Sequence, residues 1–250
     1  MRISRAAAAL VAFALAPAPV ILAQDAAPIP RFSTATPGGP LPAGWSPLSF
    51  PHITRHTSYA LVRDPEAGVV LRAEADASAS GLIAKVDLPA HDWNRLGWRW
   101  KVDRPIQGGD VMRKAGDDYP ARIYVAFRYT PERLGALERV RYELIRLWLG
   151  EYPPHAGLNY IWDARAPVGT VVPNPYERRV RMIVVESGTA RVGRWLDYER
   201  DVLADYRVAF GEEPPPVAGV ALMTDADDTG ERALAYYGDV TLRRAASPGR

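Results

Sequence analysis

Arg95-Leu-Gly-Trp-Arg-Trp-Lys-Val102 alternates without a break. Leu96, Trp98, Trp100 and Val102 fall on one side of an extended chain, and Gly97, Arg99 and Lys101 on the other. A period of two with large rings on one face marks a half-buried strand. Ala121-Arg-Ile-Tyr-Val-Ala-Phe-Arg-Tyr129 repeats the pattern, with Ile123, Val125 and Phe127 opposing Arg122, Tyr124 and Arg128. Working outward, short runs bounded by turn residues place further strands near 58–63, 68–75, 81–87, 158–162, 180–186, 217–224 and 234–242. Many short strands with one apolar face each predict a mostly β fold, a two-sheet antiparallel β-sandwich with Trp98, Trp100, Phe127 and Trp162 in its core.

Two segments break the period of two and predict inserted helices. Residues 131–149 space Leu134, Leu137, Val140, Leu144 and Trp148 as a helical stripe bracketed by Pro131 and Gly150. Their charges are nearly balanced, so packing across the mouth of the sandwich is expected rather than membrane contact. Residues 198–210 place Val202, Tyr206 and Phe210 on one face and stop at Gly211.

Composition bounds the function classes. A short basic start (Arg2, Arg5), an apolar Ala/Leu/Val/Phe run and a small-residue end at Ala23 are laid out as a signal peptide over 1–23, which predicts a periplasmic or secreted protein with no transmembrane segment after cleavage. Taking Arg2 and Arg5 away lowers the 31 basic residues to 29, equal to the 29 acids. A neutral chain gives no reason to expect nucleic acid. With no Cys there is neither a disulfide nor a thiolate metal site, so the fold rests on its core alone. Residues 24–47, rich in Pro, Gly and Ala, predict a linker or loosely attached leader with Trp45 and Phe50 as its first anchors. Residues 48–244 form the expected single domain and 245–250 a disordered tail. Nothing in the pattern fixes an oligomeric state.

The sharpest local chemistry is Met223-Thr-Asp-Ala-Asp-Asp-Thr-Gly230. Asp225, Asp227 and Asp228 can aim several oxygens at one point, and Ca2+ takes six to eight. The run lacks the Glu and helix pair of an EF-hand. Aspartates also suit turns by bonding local amides, which needs no ligand. A second acidic turn, Gly116-Asp-Asp-Tyr119, leads into the strand of Arg122 and Tyr124. If both turns lie at one end of the sandwich, Asp117, Asp118, Arg122, Asp225 and Asp227 share a polar cleft. A guanidinium there keeps carboxylates ionised and favours binding over general-acid work, although a structural Arg–Asp pair has the same composition. Tyr124, Asn159 and Tyr236 fall on faces where a ring or amide would be open to a ligand. His155 reads as a surface or capping residue, since the four His have no metal-ligand spacing. No phosphate loop, nucleophile elbow or H-E-x-x-H is present.

Gly116-Asp-Asp-Tyr-Pro-Ala-Arg-Ile-Tyr-Val-Ala-Phe127, Asn159-Tyr-Ile-Trp162, Asn174-Pro-Tyr176, the Trp195 to Gly211 segment, Met223 to Gly230 and Tyr237-Gly-Asp239, taken in order, resemble an exported bacterial family described only as a domain of unknown function. The likeness covers roughly residues 45–243. It implies a single β-sandwich similar in outline to jelly-roll and galactose-binding-like carbohydrate-recognition modules, and it carries over no catalytic residue. Fold alone does not give function. Together these readings predict a protein that binds a carbohydrate or envelope glycan in an acidic cleft, with Ca2+ as an accompanying ion. The alternatives are a glycoside hydrolase or polysaccharide lyase, and a non-catalytic envelope scaffold or assembly protein, which an exposed apolar stripe on the 131–149 helix would favour.

Overall fold

The computed structural model describes residues 26–149 and 152–245, without the side chains of 145 and 147–149. The expected signal peptide, the side chain of Trp148 and tail residues 246–250 lie outside the described residues.

In chain order the elements are β1 (Trp45–Leu48), β2 (Ser58–Asp64), β3 (Gly68–Asp76), β4 (Ala79–Leu88), β5 (Trp93–Val102), β6 (Arg122–Phe127), α1 (Ala136–Leu149), β7 (Ala156–Asp163), β8 (Val171–Pro173), β9 (Val180–Ser187), β10 (Leu196–Asp201), α2 (Val202–Phe210), β11 (Val217–Asp225), β12 (Arg232–Tyr237) and β13 (Thr241–Arg244). One sheet has seven strands in the order β1-β4-β11-β6-β7-β9-β8. The other has six, β10-β5-β12-β3-β2 with β13 also on β5.

The core lies between the sheets, where the alternation of β5 and β6 places it. Leu96, Trp98, Trp100, Val102, Ile123, Val125 and Phe127 are all buried. Trp100 meets Trp98 at 5.6 Å and Trp162 of the opposite sheet at 6.4 Å between ring centroids. Such offset rings add specific geometry to the area they bury, so they fix how the sheets sit on each other.

Several expectations are corrected. Every strand pair in the sheets is antiparallel except β7 with β9, which is parallel. The chain leaving β7 returns through 164–179, which includes β8 as the edge strand beyond β9, so β9 starts again from the same end. That return buries Ala166 against Ile161, Met182 and Val184, and it carries Asn174 and Tyr176 toward the start of β6.

The helix expected over 198–210 begins only at Val202. Residues 196–201 pair with Trp100 to Arg95 of β5, and Asp201 caps the helix by accepting from the Ala204 N–H at 3.0 Å. Gly211 ends it at φ 71°. The alternation Leu196, Tyr198 inward and Asp197, Glu199 outward outcompetes the helical stripe. In the same way, the strand expected over 234–242 divides at Gly238–Val240 into β12 and β13. Asp239, in the break, accepts from the Ser33 N–H and hydroxyl.

The leader is part of the fold. Phe32 is 0% exposed and stacks on Trp45 at 5.0 Å, the Trp45 indole donates to Pro30 O at 2.8 Å, and β1 pairs with β4. Phe50, expected as an anchor, is exposed. Pro-rich sequence hides this packing because isolated anchors have no period.

The 131–149 segment starts with a 3-10 turn and becomes α-helical at Ala136. Leu134 and Tyr142 are buried, with Tyr142 stacked on Tyr129 at 4.8 Å. Leu137, Val140 and Leu144 are 84%, 58% and 62% exposed, so the stripe faces solvent instead of the sandwich mouth.

Truncating Phe32 to Ala removes a fully buried ring and should cost about 3–5 kcal/mol. Urea titration of Phe32→Ala is expected to lower the midpoint at unchanged slope; a loosely attached leader would leave the midpoint where it was.

Candidate polar site on the seven-stranded sheet

The first residue of β6 and the last of β11 meet on the outer face of the seven-stranded sheet. Arg122 is 3% exposed and Asp225 1%. The Arg122 Nε–H donates to Asp225 Oδ1 at 2.7 Å, and Nη2 pairs with Oδ2, a two-pronged contact. Nη2 also donates to the Asp117 carbonyl, Nη1 lies 3.6 Å from Asp117 Oδ2, and the guanidinium lies over the Tyr119 ring at 4.5 Å. Nη1 further donates to the Tyr124 hydroxyl at 3.1 Å. The backbone joins the same two elements: Asp225 N–H donates to Tyr119 O, and Tyr119 N–H to Asp225 Oδ1, each at 3.3 Å.

The second acidic turn holds the first by its backbone. Asp118 is 1% exposed and accepts the Asp228 N–H at 3.3 Å and the Thr229 N–H at 2.6 Å. Asp117 accepts from Asn174 Nδ2 at 3.2 Å, and Tyr176 donates to Asp228 Oδ1 at 2.6 Å. Asp227 is half-buried, Asp228 and Tyr176 are exposed, and Lys114 Nζ sits 4.4 Å over the Tyr176 ring. The cluster therefore has a sealed interior and an open rim of Tyr124, Tyr176, Asp227 and Asp228.

A family profile matches residues 43–241. The chain belongs to the DUF3047 family. That family is described as a protein of unknown function, and its span takes in every residue of the cluster. No curated protein matches the sequence. Solved structures of similar outline include a family 11 carbohydrate-binding module of a Clostridium thermocellum cellulosomal cellulase, with TM-score 0.42, 9% identity, 89% of this chain and 96% of that one. A family 12 xyloglucanase from Bacillus licheniformis gives 0.42, 8% identity, 87% and 92%. A sugar-binding protein from Bacteroides thetaiotaomicron gives 0.35, 10% identity, 86% and 92%.

In this DUF3047 member the oxygens that approach one another are not the set expected from the sequence. Asp118, Asp225 and Asp227 each bring one within 4.8 Å of the others, while Asp228 turns to Tyr176. As a cation site this set fits in part. Three carboxylates converge, but Arg122 already faces Asp225, and both Asp118 oxygens hold amides. The electrostatics are acidic at the rim. Burial, then the negative charges of Asp118 and Asp228, push the Asp227 carboxyl above its ordinary value. Burial also raises Asp117, against the opposing pull of Arg122.

Asn159 is on the expected face but fully buried, its Nδ2 against Met182 Sδ at 3.3 Å, so it supports the sheet rather than lining an opening. Tyr236 is elsewhere. Its neighbour Tyr237 points inward to Thr224 and Met223, so Tyr236 faces outward from the six-stranded sheet, where Lys101 Nζ lies 4.8 Å over its ring. His155 is buried, with Nε2 3.2 Å from Arg179 Nη1, and burial followed by that guanidinium lowers its pKa. Asn174 and Tyr176 were not placed in the site by pattern reading; the Asn-Pro turn signal marks a loop but not where it lands. Two open cavities, one around Val171 and Val208 and one around Gly97, lie away from this cluster.

Removing one partner of a buried ion pair strands the other charge, so Arg122→Met should lose about 3–5 kcal/mol of stability by urea denaturation. For Asp227 the folded pKa is raised, so its favourable contribution is complete below the unfolded value of about 3.9 and is lost as pH rises through the folded pKa. Asp227→Asn is therefore expected to melt higher than the parent at pH 7, the gap closing as pH falls toward about 4. A gap of the opposite sign would mean that the ionised carboxylate is stabilised in the fold.

Proposed function

We propose that this DUF3047 protein is an exported glycan-binding β-sandwich that recognises its ligand at the rim over the Arg122 network. The observation that carries this reading is the Tyr176–Asp228 contact. It holds an exposed aromatic ring beside an exposed carboxylate on a face already braced by buried ion pairs. Sugars are recognised by that pairing: the ring packs against C–H faces while carboxylate oxygens accept from neighbouring hydroxyls. Because the rim is anchored through Asp118, Asp117 and Arg122, little ordering cost remains on binding. Ca2+, held by Asp118, Asp225 and Asp227, would fix the 225–228 turn further.

Bond cleavage is the weaker reading. Asp225 and Asp117 face Arg122, Asp118 faces amides and Asp228 faces a phenol, which leaves Asp227 without a second free acid in this cluster. A scaffold or assembly role is supported by one observation, the solvent-facing Leu137, Val140 and Leu144 on α1.

Calorimetric titration of the mature protein with soluble glucan, galactan, mannan and N-acetylglucosamine oligomers tests the leading reading. Binding by at least one is expected, and Tyr176→Ala or Asp228→Ala should weaken it tenfold or more, about 1.4 kcal/mol. Silence with every oligomer removes it. Ca2+ is expected to raise the melting temperature of the parent but not of Asp227→Asn; equal curves with and without EDTA remove the ion. For the scaffold reading, self-association seen by sedimentation should vanish in Leu137→Glu/Leu144→Glu, and a parent that sediments as a monomer counts against it.

A further inference from the structure

The outer face of the six-stranded sheet, opposite the Arg122 cluster, carries an open groove of about 520 Å³. That lies within the roughly 300–1,000 Å³ of small-ligand sites. Its floor is low. Gly97 of β5 holds an outward position with no side chain, and a Cβ there would come 2.8 Å from Thr241 Oγ1; one on Gly238 would collide with Arg99 Cγ. The glycines therefore let the Thr241 and Arg99 side chains lie close against the sheet, which keeps the groove open above them.

The walls stand on β5, β10 and β13, all paired strands, so their positions are fixed before any ligand arrives. The lining sets Arg99 and Arg243 against Asp197, Glu199 and Asp239, one acid in excess, and Arg95 beside it is shared between Glu199 and Asp201. Some are committed. Glu199 pairs with both Arg95 and Arg243, and Asp239 with Ser33. Asp197 is open, with 76% of its side chain exposed and its Oδ1 3.5 Å from the buried Arg99 Nε without a hydrogen bond. Stacking on Trp195 at 4.9 Å braces the Arg99 guanidinium.

A rigid lining whose charges are mostly paired with one another, with one acid in excess, repels an anion and leaves little unpaired charge for a cation. It matches a group that donates and accepts at every position and carries no charge. We propose that this groove is a second binding site for a neutral polyhydroxylated ligand, one or two sugar units of a glycan, on the face opposite the rim. The ligand class rests on the glycan reading above, but the groove shares no residue with the rim. Two sites on opposite faces engage two stretches of polymer, so affinity for a polysaccharide exceeds that for its oligomer by the effective-concentration gain of the second contact.

Calorimetry on the full mature chain tests this with the best-binding oligomer of the same four-member panel. The parent is expected to bind two per chain, and Asp197→Ala and Arg99→Gln, each with an unchanged melting curve, one. Tyr176→Ala should also leave one. Stoichiometry of one, lost in Tyr176→Ala and untouched by the groove variants, overturns the groove and keeps the rim. Binding abolished by Asp197→Ala but spared by Tyr176→Ala supports the groove and overturns the rim. No heat with any oligomer overturns both.

Discussion

A guanidinium with almost no water contact must find its acceptors within the protein, and Arg122 finds them on three separate stretches of chain: the end of β11, the 116–120 loop and the middle of β6. That requirement organises one whole face of the sandwich. Asp225 has to end β11 beside the start of β6, and the loop has to pass close enough to offer the Asp117 carbonyl. Asp118 is thereby delivered to the amides of 228 and 229. The turn that carries Asp227 and Asp228 is thus held from below by the Asp118 carboxylate, whose own loop is fixed by Arg122. Buried pairs of this kind add little net stability against an apolar replacement, but they penalise any other arrangement of the same strands.

The sheets were legible because β5 and β6 place one large apolar residue at every second position, a pattern that only a half-buried strand satisfies. The chemistry of each acidic turn was legible, but from sequence alone their meeting was only a condition, because it is the antiparallel pairing of β6 with β11 that sets it. Three other things were not legible. Residues 26–48 bury Phe32 and Trp45 through single anchors between prolines, and a periodicity argument has nothing to count there. Residues 196–201 satisfy strand and helix patterns at once, and only pairing with β5 decides between them. Burial of the site is a tertiary property: Asn159 reads as outward-facing and is, but Met182 lies against it and Val111, Tyr119 and Ala166 pack on the same face.

The return from β7 to β9 also explains why Asn174 and Tyr176 belong to the cluster. A parallel pairing needs a long return, and here it runs back along the edge of the sheet as β8 before the loop that holds both residues. Asn174 orders the loop by accepting the N–H groups of residues 176 and 177 while its own amide reaches Asp117. The phenol of Tyr176 then arrives at Asp228 from a segment about fifty residues earlier in the chain.

The two outer faces differ in how they handle charge. On the seven-stranded sheet, Asp117, Asp118, Asp225, Asp227 and Asp228 crowd around one buried guanidinium; burial raises Asp117 and Asp227, and for Asp227 the neighbouring Asp118 and Asp228 add to it. Such a face gains from anything that supplies positive charge or hydrogen-bond donors, whether an ion or a row of hydroxyls. On the six-stranded sheet, acids and arginines alternate across β10, β5 and β13 and satisfy one another at the surface. A neutral ligand exchanges weakly held water there without leaving a charge unpaired, which is the condition under which polar recognition becomes favourable at an open surface. Neither face is enclosed, so what distinguishes them is charge: one gathers acids around a single buried guanidinium, the other pairs acids with arginines across neighbouring strands.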